Sequence, residues 1–177
     1  GFMEEAAVER TVPFSNEAEQ SVLGAMFLER DCIPDVISRV RADDFYIERH
    51  RELFEAMVEL YNMGKPIDLV TLQAHLTLRG TLDNIGGIAF VVEVANLVPS
   101  PDSVKYYAEI VSDKAVLRRL IKLSDTVSGK CYRGDEELQD LLGFAQQGLL
   151  DITQGRARKG LVHISKYLDD SLERIDQ

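Results

Sequence analysis

Cysteine, long apolar runs and positive charge are all scarce in this chain, and each shortage removes a class of protein. Cys32 and Cys131 are the only two cysteines, far apart and outside any Cys-x-x-Cys spacing. They make neither a zinc site nor a disulfide framework, and both read as ordinary packing residues in a reducing compartment. The most apolar stretch, residues 85–98, is interrupted by Glu93 and is too short to cross a bilayer, so no membrane segment is expected. Glu4, Glu5, Glu9 and Arg10 stand where a signal peptide would need its apolar region, which points to a cytoplasmic protein. Gly1 and Phe2, ahead of Met3, read as a processing remnant and are left out of the fold argument.

Twenty Lys and Arg against thirty Asp and Glu leave a net charge of −10. That sign opposes phosphate backbones, whose protein partners bind chiefly by cation neutralisation, so nucleic acid is not expected as the main direct ligand. Two basic clusters remain: Arg118, Arg119 and Lys122, then Arg156, Arg158 and Lys159. As phosphate contacts they would be functional; short charge runs of this kind are expected instead to be solvated helix faces and helix C-termini.

Catalytic signatures are missing as well. There is no Gly-x-x-x-x-Gly-Lys-Ser/Thr loop, and the pair Gly86-Gly87 cannot cradle phosphates alone, so no nucleotide site is expected. Glu48, His50 and Glu52 cluster near the start of one helix, but a di-iron bundle needs Glu-x-x-His pairs on separate helices. They read as solvated polar side chains, and no metal is expected. His75 and His163 stand alone, without a nucleophile or orienting carboxylate at useful spacing, so no catalytic residue is assigned.

What is present is helical periodicity. With 177 residues, 45% of them hydrophobic, the chain can bury a core, and its apolar residues recur at helical spacing while strand-like alternation is scarce. The fold class is therefore all-α. Asn16 is expected to cap a first helix through Val22, Leu23, Met26 and Phe27, and Asp31 a second one with Pro34 in its first turn. A third runs over residues 47–63 and stops at Gly64-Lys65-Pro66. Asp68 caps a fourth that ends at Gly80, and a fifth, very apolar, follows Gly86-Gly87 through Phe90, Val91 and Val94. Asp43-Asp44 reads as orienting the start of a helix.

The pattern changes at Pro101. Residues 102–132 hold no proline and one glycine, Gly129, which allows a long helix with a seam of Ile110, Leu117, Leu120 and Val127. Arg133-Gly134 is the turn, and Asp135 caps a return helix with Leu138, Leu141, Leu142, Ala145, Leu149 and Ile152. Two helices alone bury little, so this hairpin is expected to dimerise. The basic, glycine-bounded stretch after Gly155 reads as a linker. A last amphipathic segment follows, whose face of Ile164, Leu168, Leu172 and Ile175 awaits a partner. The organisation is a globular helical subdomain at 13–101, an antiparallel helical hairpin at 102–155, and a linker with the start of a linker helix at 156–177.

Five stretches resemble, in order, the N-terminal region of the DnaB family of bacterial replicative helicases. They are Pro13-Phe14-Ser15-Asn16-Glu17-Ala18-Glu19-Gln20-Ser21-Val22-Leu23-Gly24, Ala42-Asp43-Asp44-Phe45-Tyr46, Pro66-Ile67-Asp68-Leu69-Val70-Thr71-Leu72, Ile85-Gly86-Gly87, and Tyr106-Tyr107-Ala108-Glu109-Ile110-Val111 leading into Leu117-Arg118-Arg119-Leu120-Ile121. Phe14 departs from the usual family residue. The resemblance extends from Pro13 to the C-terminus. It implies a small helical domain, a hairpin and a linker helix ahead of a hexameric motor, absent here, that uses ATP and magnesium to move 5′ to 3′ on single-stranded DNA. It also implies self-association as a trimer of dimers, recruitment of primase, a helicase loader as a further partner, and docking of the linker helix on a neighbouring motor. Family members present the long-helix region to the C-terminal helical domain of primase, so Ile121, at the margin of the seam, Val127 and an aromatic anchor at Phe90 are the candidate primase contacts. Ile164, Leu168, Leu172 and Ile175 are the candidate docking face of the linker helix. The competing readings are a free-standing helical DNA-binding adaptor, which salt-dependent DNA binding would reveal, and a bundle metalloenzyme, which a bound metal would reveal.

Overall fold

The computed structural model describes residues 10–97 and 103–176; the side chains described are those up to residue 156 and that of Leu168. All regular structure among the described residues is helical: α1 (Asn16–Leu28), α2 (Ile33–Ile37), α3 (Glu48–Asn62), α4 (Leu69–Arg79), α5 (Gly87–Asn96), α6 (Val104–Arg133) and α7 (Leu138–Asp176), with 3-10 turns at Arg30–Cys32 and Ala42–Asp44.

Local chemistry sets most of the boundaries. Ser15, in extended conformation, caps α1 by accepting a hydrogen bond from the Ala18 N–H at 3.1 Å, so the cap lies one residue before the expected Asn16. Asp31 makes no cap at all; it sits within a 3-10 turn, and α2 is a single short stretch with Pro34 in its first turn. Asp68 and Thr71 cap α4 reciprocally: Asp68 Oδ1 accepts from the Thr71 N–H at 2.8 Å, and Thr71 Oγ1 accepts from the Asp68 N–H at 2.9 Å. Gly80, at φ +76°, ends that helix in the left-handed region open to glycine.

Helix α1 is the centre of the globular part, packing on α3, α5 and α6. Ala18, Val22, Leu23, Ala25 and Met26 are all buried, and Leu53, Met57 and Leu60 of α3, Leu72 and Leu76 of α4, and Phe90, Val91 and Val94 of α5 close around them. Helix α6 joins this core only through its first half, where Val104, Ala108, Val111 and Ala115 are buried at heptad-like spacing. That register replaces the expected seam: Leu117 is exposed, Leu120 and Val127 are half-buried, and of the four expected residues Ile110 alone packs against the core.

The second half of α6 pairs with α7 as the expected hairpin, turning at Gly134 (φ +63°). Asp135 is not the cap; α7 begins at Leu138. At Gly148 the two helices come so close that a Cβ would collide with Leu123 Cδ1. The linker expected at residues 156–160 is corrected by the structure, because α7 runs through it without a break. Arg, Ala, Lys and Leu are strong helix formers, and isolated glycines cost a helix interior only about 1 kcal/mol each. Arg156 also forms an exposed pair with Asp113 of α6 at 2.9 Å. The subdomain boundary expected near Pro99 and Pro101 lies outside the described residues.

Candidate functional site

The hairpin is held to the globular part by a polar clasp around the Ala42–Asp44 turn. Asp44 is fully buried, its Oδ2 accepting the Arg41 N–H at 2.9 Å and its Oδ1 the Arg119 guanidinium at 2.6 Å. Arg118 donates to the Asp44 carbonyl at 2.6 Å and to the Pro13 carbonyl at 2.9 Å, and its guanidinium lies over the Tyr46 ring at 5.3 Å. Burial, opposed by the nearby Glu19 carboxylate, lowers the Arg118 pKa. Arg118 and Arg119 are thus tied down in the fold, and the expectation of a solvated basic face does not hold for them.

Behind this clasp lies a pair that reading charges singly does not reveal. Glu19 is buried in α1 and accepts hydrogen bonds from the Tyr46 N–H at 3.0 Å and the Ile47 N–H at 3.3 Å, while His50 Nδ1 stands 2.9 Å from its Oε1. His50 is also fully buried, so it is not the solvated side chain expected beside Glu48 and Glu52. A signal existed in the sequence: Glu19 shares the helical face of Val22, Leu23 and Met26, where a carboxylate must find donors. Its donors tie α1 to the start of α3.

The other polar clusters are also structural. Arg79 of α4 bridges Glu52, Glu55 and Glu59 of α3, and His75 Nε2 lies 2.5 Å from Glu59 Oε2. Desolvation would raise the Glu59 pKa, but the hydrogen bonds to His75 and Arg79 outweigh it and hold the carboxyl below its usual value. No group of three His, Cys, Asp or Glu side chains among the described residues is arranged to hold a metal ion. Cys32 is buried as expected, whereas Cys131 is exposed near the hairpin tip, a correction to its reading as a packing residue.

The expected docking residues divide. Phe90 is 3% exposed, stacked on His50 at 5.7 Å between ring centroids with Arg49 over its face, so it is a core side chain and not an available anchor. Helix α5 is apolar on too many sides to leave that ring free. Ile121 is 47% exposed and Leu117 44%, with Val127 half-buried further along α6. Ile121, Leu117 and Leu120 line a groove of about 540 Å³ opposite residues 10–13. On α7, Leu138, Leu142, Leu149 and Leu150 are exposed, and the last two border a second open depression with Gln146 and Gln147. Leu168 is 54% exposed; the side chains of Ile164, Leu172 and Ile175 lie outside the described residues, although the backbone there is helical.

The chain is thus an all-helical core carrying a long hairpin, with apolar side chains exposed on both of the hairpin's helices. The chain belongs to the family described as DnaB-like helicase N-terminal domain, which matches residues 11–113, more than half of its length. It is 34% identical over 169 residues to the replicative DNA helicase DnaC of Bacillus subtilis, covering 96% of this chain and 37% of the relative. It is 35% identical over 174 residues to the replicative DNA helicase DnaB of Geobacillus stearothermophilus, covering 98% and 38%. The chain therefore spans little more than a third of the length of these curated relatives. The crystal structure of the N-terminal domain of DnaB helicase from Mycobacterium tuberculosis superposes with a TM-score of 0.74 at 38% identity, covering 80% of this chain and 99% of that one. A structure of a DnaB-like replicative helicase, described together with its interactions with primase, shares the fold at 21% identity and a TM-score of 0.65, over 88% of this chain and 35% of that one. No helix among the described residues is long and apolar enough to cross a membrane.

Proposed function

We propose that this chain is the N-terminal assembly and primase-recruiting part of a hexameric replicative DNA helicase that unwinds DNA at the replication fork. ATP hydrolysis, with magnesium, and movement along DNA belong to a motor outside this stretch. The chain itself pairs through its hairpin into dimers, which assemble three at a time into a ring, and a helicase loader is a further partner. The observation that carries this reading is the exposed apolar face of the hairpin. Leu117 and Ile121 on α6, and Leu138, Leu142, Leu149 and Leu150 on α7, are left uncovered by the chain's own core. Exposed apolar side chains recurring along both helices of the hairpin favour an interaction surface. The likeness to a helicase structure described with its primase interactions supports primase as one occupant.

The test is Ile121→Glu, titrated with the C-terminal helical domain of primase. Ile121 is 47% exposed, so the charge is solvated in the free chain and folding is spared. Against an apolar partner the same charge is desolvated, so binding weakens by more than about 1 kcal/mol with the melting temperature nearly constant. Unchanged affinity in the folded variant removes Ile121 from the contact.

A further inference from the structure

The attachment of the hairpin to the globular part changes character along α6. Val104, Ala108, Val111 and Ala115 are buried at steps that keep to one helical face, and the next position on that face is Arg118. Beyond Ala115 no residue of α6 is buried. What holds the helix there is polar: Arg118 donates to the Pro13 and Asp44 carbonyls, and Arg119 pairs with Asp44 and, at 3.6 Å, with Asp43. The return helix is weakest at the same level. Gly155 of α7 lines a crevice of about 230 Å³ with Ser112 and Val116 of α6, Arg41 and Asp43 of the 3-10 turn, and Arg156. No packing demand explains this glycine: a Cβ built on it meets nothing within 4 Å, whereas one at Gly148 would strike Leu123. Glycine destabilises a helix interior, so α7 gives most easily where α6 loses its apolar hold. The Arg156–Asp113 pair at this level is exposed on both sides and resists bending little. Further out, the close approach of Gly148 to Leu123 joins the two helices, so they move together.

We propose that the level of Val116 and Gly155 is a hinge of the hairpin, and that the clasp of Asp44 with Arg118 and Arg119 is its lock. Closed, the clasp fixes the tilt of the hairpin on the globular part. Released, it lets the outer hairpin swing as a unit about Val116 and Gly155, the crevice leaving room for the tilt. The arm from Val116 to Arg133 is about 25 Å long at the rise of an α-helix, so a tilt of about 15° carries the tip about 6 Å. The inference concerns how the hairpin is aimed, and it holds whichever chain covers the hairpin.

The test is the distance from the hairpin tip to the globular part, read by double electron–electron resonance. One spin label sits on Cys131, which is exposed, and the other on Leu78→Cys in α4, where the side chain is 84% exposed; Cys32 is buried and stays unlabelled. Labelled chain is diluted with excess unlabelled chain, so that only distances within one copy are read. The parent gives one narrow distribution. Asp44→Asn, which weakens the hold on Arg119, broadens or shifts it by about 5 Å. A label pair inside the globular part, Leu28→Cys with Leu78→Cys in a Cys131→Ser background, stays narrow. Adding Gly155→Ala to Asp44→Asn narrows the tip distribution again, because a stiffer α7 resists the bend; a purely structural clasp predicts no such rescue. If Asp44→Asn lowers the melting temperature sharply, Arg119→Gln carries the test. An unchanged tip distance in the folded clasp variants overturns the proposal. Broadening of the globular pair along with the tip overturns it too, since the clasp then holds the core and not a hinge. Broadening of the tip that Gly155→Ala leaves untouched likewise overturns it, because the motion then lies elsewhere.

Discussion

Glu19→Ala is the substitution whose cost can be worked most directly from the structure. The Glu19 side chain is buried and meets three donors or ring nitrogens: Tyr46 N–H at 3.0 Å, Ile47 N–H at 3.3 Å and His50 Nδ1 at 2.9 Å. Truncation leaves these groups without their partner, His50 Nδ1 in the buried interior and the Tyr46 and Ile47 N–H groups where they are only part-buried. His50 suffers most, since its Nε2 already has no hydrogen-bond partner and the ring would then have none on either side. An orphaned buried polar group costs about 1–3 kcal/mol and the two part-buried N–H groups less, since water can reach them in part, so the expected loss is about 2–4 kcal/mol. Glu19→Gln keeps the shape and one acceptor oxygen, and should lose about half as much. Urea denaturation followed by far-ultraviolet ellipticity measures both. A loss below about 1 kcal/mol for Glu19→Ala would mean that water or a shifted backbone replaces the carboxylate, and would refute its role as the tie between α1 and α3.

Burial, reinforced by Glu29 and Asp35, pushes the Cys32 thiol up to about 11, whereas Cys131 is exposed. A thiol-specific disulfide reagent at mildly alkaline pH should therefore modify one cysteine in the folded protein and two after denaturation; fast reaction of both in the folded state contradicts this. Gly155→Ala should raise stability by about 0.5–1 kcal/mol, because the position is helical and a Cβ there meets nothing within 4 Å. A drop in urea midpoint would instead return residues 156–160 to a linker.

The parts of this fold that were legible in the sequence are those fixed by one or two neighbouring residues. Asp68 three residues before Thr71, and Gly80 after the last apolar position of α4, determine that helix through local hydrogen bonds and glycine's freedom at positive φ. The proline-free stretch after residue 102 and the turn at Gly134 likewise foretell the hairpin. What was not legible depends on distant partners. Arg118 reads as a surface cation until Asp44 and Pro13, far away in sequence, are brought to it by the packing of α1 on α6. Glu19 and His50 likewise meet only through tertiary packing, here of α1 on α3. Phe90 misled because aromatic character suits an anchor as well as a core, and His50 and Arg49 on α3 decide between the two. Gly155 and Gly160 looked like boundaries, but the residues between them favour helix.

The central claim is that the hairpin exists to be covered by other chains, beginning with a second copy of itself. Sedimentation equilibrium of the full chain, from low to high micromolar concentration, measures this directly. The account predicts a mass of at least two chains that rises or holds as concentration increases, as exposed Leu138, Leu142, Leu149 and Leu150 are buried between copies. A mass of one chain at the highest concentration would contradict it.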